Sequence, residues 1–269
     1  MDKFGFIQGR RGPPGPAGKD ALQLDVWCTK SVLQQFKASA SCAFYFDTES
    51  DGILDKKKGL KNRIDEGRYN AKTVRDLQTP VKTGKSYSLP LSTKSCFEIP
   101  TLRSALKPSS VFIVAFSFKL TEAIKDGLSY YIFSNTNSTR AVTLRKDWLD
   151  IAGCERGSPQ LKYKIDSWNY MLIQYSRVSE DGSSDRCFFI LNGRRGFFEP
   201  KVYENDAVGL YIGHKLKKTA NIELNYFQVH YVHESLHKTM GYVLPEIFSS
   251  LLLKDMKSRV HLFGEEDEE

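Results

Sequence analysis

Val111-Phe112-Ile113-Val114-Ala115-Phe116-Ser117-Phe118-Lys119-Leu120 is apolar on both faces through Phe116 and alternates from there on. That pattern fits a central strand, covered on both sides at one end and half covered at the other. Downstream, short apolar runs recur between polar turns, at 129–134, 141–144, 148–151, 169–177 and 186–191. Asn192-Gly193 is a tight-turn pair that accepts positive φ, and Phe197-Phe198 follows it. Residues 209–213 and 222–232 close the series, and the latter alternates with Ile222, Leu224, Tyr226, Gln228 and His230 on one face. Upstream lie 96–99, 86–91 and 42–46, separated by a stretch from Lys56 to Lys82 that is poor in large apolar residues and reads as a surface loop. Many short strands at regular spacing, with few helical patterns, predict an all-β, antiparallel β-sandwich.

The totals agree with a packed body. The chain has 269 residues, 41% hydrophobic and 12% aromatic, with 17 Phe and 13 Tyr to fill half-buried strands. Its formal charge is +7, unevenly spread. Lys56, Lys57, Lys58, Lys61 and Arg63 form a basic run, and residues 265–269 an acidic tail. No nucleic-acid-binding signature accompanies the basic run, so nucleic acid is not an expected partner. No apolar stretch reaches the roughly 18 residues of a membrane span. Residues 1–8 lack the apolar core of a signal peptide, so none is expected in this chain, which either leaves its cell by another route or is part of a longer one. The five cysteines (28, 42, 96, 154 and 187) show no C-x-x-C spacing, and either buried thiols or two disulfides and a free thiol satisfy the sequence.

Before the body, Gly9-Arg10-Arg11-Gly12-Pro13-Pro14-Gly15-Pro16-Ala17-Gly18-Lys19-Asp20 makes four uninterrupted Gly-X-Y triplets. Glycine at Gly9, Gly12, Gly15 and Gly18 is what a triple helix needs, because only a hydrogen fits at its axis. Four triplets span only about 37 Å, so a homotrimer would need its heads to associate as well. The other reading is a flexible Pro/Gly linker. The expected division is a collagen-like tract and tail over 1–20, a connecting segment or neck helix over 21–41, the sandwich over 42–258, and a solvated acidic tail over 259–269. Within 244–253, Pro245 at the first turn and an apolar stripe of Ile247, Phe248, Leu251 and Leu252 predict a short helix.

The order of motifs in the body resembles the laminin-G/concanavalin A-like lectin-glucanase sandwich, a jelly roll. Phe116-Ser117-Phe118 and Ile132-Phe133-Ser134 are followed by Trp168 before a strand. Ile190-Leu191-Asn192-Gly193, Leu210-Tyr211-Ile212-Gly213 and a closing strand over 222–232 come after it. The resemblance covers roughly residues 42–255 and implies two packed antiparallel sheets and recognition rather than catalysis. Collagen-like stalks with such heads are similar to matrix collagens and to fibre proteins of viruses and large mobile elements.

Reactive chemistry is sparse. A glucanase on this scaffold needs paired carboxylates about 5–10 Å apart, as in Glu-x-Asp-x-x-Glu, and the sequence has no such run. Asp47, Glu49 and Asp51, with Gly52 sixth, resemble the opening of a calcium loop, although Lys58 stands where a bidentate Glu belongs. They are the candidate metal ligands, for calcium. His233 and His237 share helical spacing but lack a third ligand. Asn137-Ser138-Thr139 is a glycosylation sequon. Candidate ligand-binding residues are the basic run Lys56, Lys57, Lys58, Lys61 and Arg63, and the hairpin pair Arg194 and Arg195, which suit acidic glycans.

The expected function is therefore a non-enzymatic adhesive or structural protein, homotrimeric through its stalk, with a head that binds a glycan or protein surface outside the cell, in matrix or on a particle. The alternatives are a monomeric lectin-like protein and, last, a glycan-cleaving hydrolase.

Overall fold

The structure is a computed structural model and describes residues 42–46, 59–61, 70–76, 78–83, 86–99, 111–154, 159–175, 187–199 and 209–232. The Gly-X-Y tract, the neck segment, Asp47, Glu49, Asp51, most of the basic run, His233, His237 and the stripe at 244–253 lie outside these residues. What is described is all-β, with no helix long and apolar enough to cross a membrane.

Fifteen strands are described: β1 (Cys42–Tyr45), β2 (Gly59–Leu60), β3 (Ala71–Arg75), β4 (Val81–Thr83), β5 (Ser86–Leu91), β6 (Cys96–Ile99), β7 (Val111–Leu120), β8 (Tyr130–Asn135), β9 (Ala141–Leu144), β10 (Leu149–Ile151), β11 (Asn169–Tyr175), β12 (Cys187–Leu191), β13 (Arg194–Phe198), β14 (Leu210–Gly213) and β15 (Ile222–Val232). They form two antiparallel sheets. The larger has eight strands in the order β13-β12-β11-β7-β15-β5-β4, with β1 also paired to β15. The smaller has seven, in the order β10-β9-β8-β14-β6-β3-β2.

The decisive stretch is indeed central: β7 lies between β11 and β15, paired along nearly its whole length to both. Its alternate residues Val114, Phe116, Phe118 and Leu120 join Met171, Ile173, Phe189 and Leu191 of the same sheet in the core. The facing sheet answers with Phe97, Ile99, Phe133, Val142, Leu144, Leu210 and Ile212. Phe116 is the hub, with ring centroids 6.0 Å from Phe133 across the sandwich and 6.1 Å from Phe227 beside it. Both separations fall in the range where aromatic pairs attract.

Two expectations are corrected. The stretch from Lys56 to Lys82 is not simply a surface loop, since β2, β3 and the start of β4 fall within it. Leu60 and Ala71 are fully buried there. The strands escape a hydrophobic reading because they are short and lie at sheet margins, and in β3 only Ala71 is buried. The second correction concerns β15, whose alternation does not run unbroken. The register slips between Leu224 and Tyr226, so Asn225 is a bulge residue. Ile222 and Leu224 face the core before it, and Phe227 and Val229 after it. One extra residue inverts every later side chain. Tyr226 and Gln228 are thereby turned to the outer face of the large sheet, where the Tyr226 hydroxyl donates to Gln228 Oε1.

Of the cysteines, Cys42 and Cys96 are buried free thiols and Cys154 is a half-buried one. Burial pushes the thiols of Cys96 and Cys154 up to about 11 and that of Cys42 higher still, so they resist ionisation.

Candidate functional site

The β12–β13 hairpin is built for projection. Asn192 and Gly193 both have positive φ, 50° and 84°, the geometry of a type I′ turn that matches strand twist. Asn192 is clasped from below: its Nδ2 donates to Asn169 Oδ1 at 2.8 Å, and its Oδ1 accepts from the Tyr170 amide at 3.0 Å. Asn169 is itself buried and held by Lys164 and Ser167. The turn therefore stands on a hydrogen-bonded base.

Beyond it, β13 is the outermost strand of the large sheet. Gly196 lies against Phe189, whose ring would sit 2.2 Å from a Cβ there, so the core-facing side of the strand is closed. Arg195 and Phe197 take the opposite face, paired across to Ile190 and Phe188. The Arg195 guanidinium lies 4.8 Å from the Phe188 ring centroid and 4.9 Å from that of Phe197. Phe197 is nevertheless 65% exposed, and both Arg194 and Arg195 are exposed. An exposed ring offers a flat apolar face, and a guanidinium steadied on aromatic faces keeps its planar fork of donors for a carboxylate or sulfate.

The structure thus brings Arg195 together with two aromatic rings, while Arg194, paired with Leu191, alternates onto the other face of β13. Phe197 is not marked as a site residue by sequence, because its role depends on the register that sets it opposite Phe188. Lys61 is exposed just after β2 on the other sheet, and the rest of its basic run lies outside the described residues. Asn137 of the sequon sits in the turn between β8 and β9.

A second polar cluster forms just past the end of β14, the central strand of the smaller sheet. His214 Nε2 is 2.7 Å from Ser138 Oγ, and the imidazole lies 4.4 Å from the Tyr131 ring. This is a Ser–His contact, but its polarity is wrong for a nucleophile. Nδ1 accepts from the amides of both Leu216 (2.9 Å) and Lys217 (3.0 Å), so the proton sits on Nε2 and points at the serine. A protonated Nε2 cannot take the serine's proton. Arg75 caps the cluster through the carbonyls of His214 and Lys217. Among the described residues no three His, Cys, Asp or Glu side chains gather as a metal site.

Burial, with the charges of Lys217 and Arg75, pushes the His214 imidazole down to about 4 from its usual 6.5. The fold holds the neutral form, so the stabilisation is complete above the unfolded value of about 6.5 and is lost as pH falls through the folded value near 4. Urea denaturation at pH 7.5 and at pH 4 should show a loss of about 1–2 kcal/mol that the His214→Gln variant lacks, the full shift being discounted because water reaches the cluster's rim. An equal loss in both proteins would assign the acid sensitivity to other groups.

Comparison with known proteins places the fold. No protein-family model matches the sequence, and no curated protein matches it. Solved structures do. A structure titled for cell entry of botulinum neurotoxin type C through two ganglioside molecules matches at a TM-score of 0.50 and 12% identity, over 80% of this chain and 53% of that one. The binding domain of botulinum neurotoxin serotype D/C is similar at 0.49 and 11%, over 79% and 53%. The chain spans about half the length of these toxin structures. At 12% identity the likeness is one of fold, a β-sandwich.

Proposed function

We propose that this chain is a non-enzymatic recognition module, a laminin-G/concanavalin-like head that binds an acidic glycan at the β13 margin of its larger sheet. The observation that carries the reading is the exposed Phe197 ring with the Arg195 guanidinium against it on the same face of β13, Arg194 being exposed on the other face. Sugar rings present C–H faces that pack on exposed aromatics, and a guanidinium pairs with carboxylate or sulfate bidentately. The toxin structure of similar fold carries a title naming ganglioside molecules, which are acidic glycolipids, and that supports a glycan over other ligands.

The proposal extends to the rest of the chain. Residues 1–20 act as a collagen-like stalk, 21–41 as a neck, and the heads are displayed as a homotrimer outside the cell, on matrix or on a particle surface. Lys56, Lys57, Lys58, Lys61 and Arg63 are proposed as a separate acidic-glycan site, and Asp47, Glu49 and Asp51 as the calcium ligands. The second reading is a monomeric lectin-like protein with a flexible leader, favoured if light scattering returns a monomer mass for the full chain.

The test is retention on immobilised sialylated and sulfated glycans, with calcium and with chelator. Removing both guanidiniums in the double variant Arg194→Ala/Arg195→Ala should lower affinity about tenfold or more, at about 1 kcal/mol for each exposed charged contact. Phe197→Ala should lower it on neutral and acidic glycans alike, because the ring contributes no charge. Unchanged retention in both variants removes the site.

A further inference from the structure

The outer face of the larger sheet is buried at its centre, where a solvated sandwich face would be exposed. Register sets Ile190, Leu172, Ala115, Gln228 and Ala43 in one row across β12, β11, β7, β15 and β1. The next row holds Phe188, Gln174 and Ile113. Ile113, Ala115, Leu172 and Ala43 are 0% exposed, Phe188 5% and Ile190 9%, yet no described strand crosses this face. The smaller sheet covers the opposite side. Its own outer face is mixed, with Lys72, Glu98, Tyr211, Ser134 and Ala141 in one register row. An antiparallel sheet open to water on one side exposes the polar side chains of that face, whereas here even Gln228 and Gln174 are only 2% and 4% exposed.

We infer that the C-terminal segment 244–253 of the same chain is the occupant, laid across this row as an amphipathic helix. Three observations support the choice. The chain leaves the sheet at Val232, which pairs with Val111 in the middle of the sheet, and residues 233–269 follow. Residues 233–243 reach at most about 36 Å when extended, ample to return over a sheet whose strands lie about 4.8 Å apart. A ten-residue helix is about 15 Å long, close to the roughly 19 Å that the five-strand row spans. Ile247, Phe248, Leu251 and Leu252 supply the complementary stripe, and Lys254 and Lys257 follow it, where cations suit a helix C-terminus.

With the segment docked, the broad face of the larger sheet is closed to ligands, and Arg195 with Phe197 is the part of that face left open to solvent. Recognition is thereby confined to the sheet's edge. The docking stands whether or not that edge binds glycan, and its test does not use a glycan.

The experiment uses the full chain with a photoreactive benzophenone side chain in place of Leu251. Irradiation should cross-link within one chain, and peptide mapping should find the partner among Ile113, Leu172, Phe188 and Ile190. Cross-links to the smaller sheet, to residues 21–36 or between chains would overturn the assignment. In parallel, Phe248→Asp should raise binding of an apolar fluorescent dye several-fold, while Ser249→Asp, off the stripe, should leave it unchanged. Equal dye binding by Phe248→Asp and the unaltered chain would also overturn it.

Discussion

Phe116→Ala should unfold at a temperature about 10 °C below the unaltered chain, a loss of about 4 kcal/mol. Phe116 is fully buried on the central strand, and its ring touches Phe118, Phe133 and Phe227. Truncation removes the transfer free energy of the ring and leaves a cavity between two sheets whose backbones are tied by ladders on both sides. Collapse around the hole is therefore limited, and the upper part of the range for Phe truncations applies. Phe197→Ala is the control, because it removes the same atoms from a site 65% exposed. It should change stability by less than about 0.5 kcal/mol. Calorimetry on the two variants distinguishes a core hub from a surface ligand platform. Equal shifts would mean that the hydrophobic core has been misplaced.

The same contrast shows what is legible in the sequence. β6, β7, β9 and β15 can be read to the residue because each is a compact apolar run that turn residues delimit on both sides. The turns follow from chemistry too: Asn192-Gly193 has the positive φ pair that its residue types favour, and Gly213 lies at φ 85° where the chain crosses between sheets. What escapes the sequence is phase and company. Nothing in Leu224-Asn225-Tyr226 marks a bulge, since all three residues are compatible with unbroken alternation, and only pairing with β7 exposes the slip. β3 is hidden because Ala71-Lys72-Thr73-Val74-Arg75 buries only one small side chain. The basic pair at the hairpin is visible in sequence, but its aromatic setting is not. Phe188 and Arg195 meet only through the antiparallel register of β12 and β13. His214 and Ser138, 76 residues apart, share no sequence signal.

Gly213→Ala should cost about 3 kcal/mol or more, and the cost should be divisible into two physical parts. At φ 85° an L-residue is strained by about 1–2 kcal/mol whatever surrounds it. Gly127 isolates that part, because it has φ 76° and open space within 4 Å of where a methyl would sit, so Gly127→Ala should lose about 1 kcal/mol only. At Gly213 the methyl also meets Thr219 Oγ1 at 2.4 Å and the Ser95 carbonyl oxygen at 2.8 Å. Those two atoms are hydrogen-bonded to each other, a buried contact that ties the segment before β15 to the turn before β6. The methyl must push them apart, and the Gly213 carbonyl, which accepts from Ser134 Oγ at 3.0 Å, is drawn along. Thr219→Ala clears the nearer atom and breaks the same bond. Gly213→Ala and Thr219→Ala should therefore be less than additive by about 1 kcal/mol, as residues sharing one contact are. Strict additivity in urea denaturation would leave backbone strain as the whole effect, and Gly213 would then behave as Gly127 does.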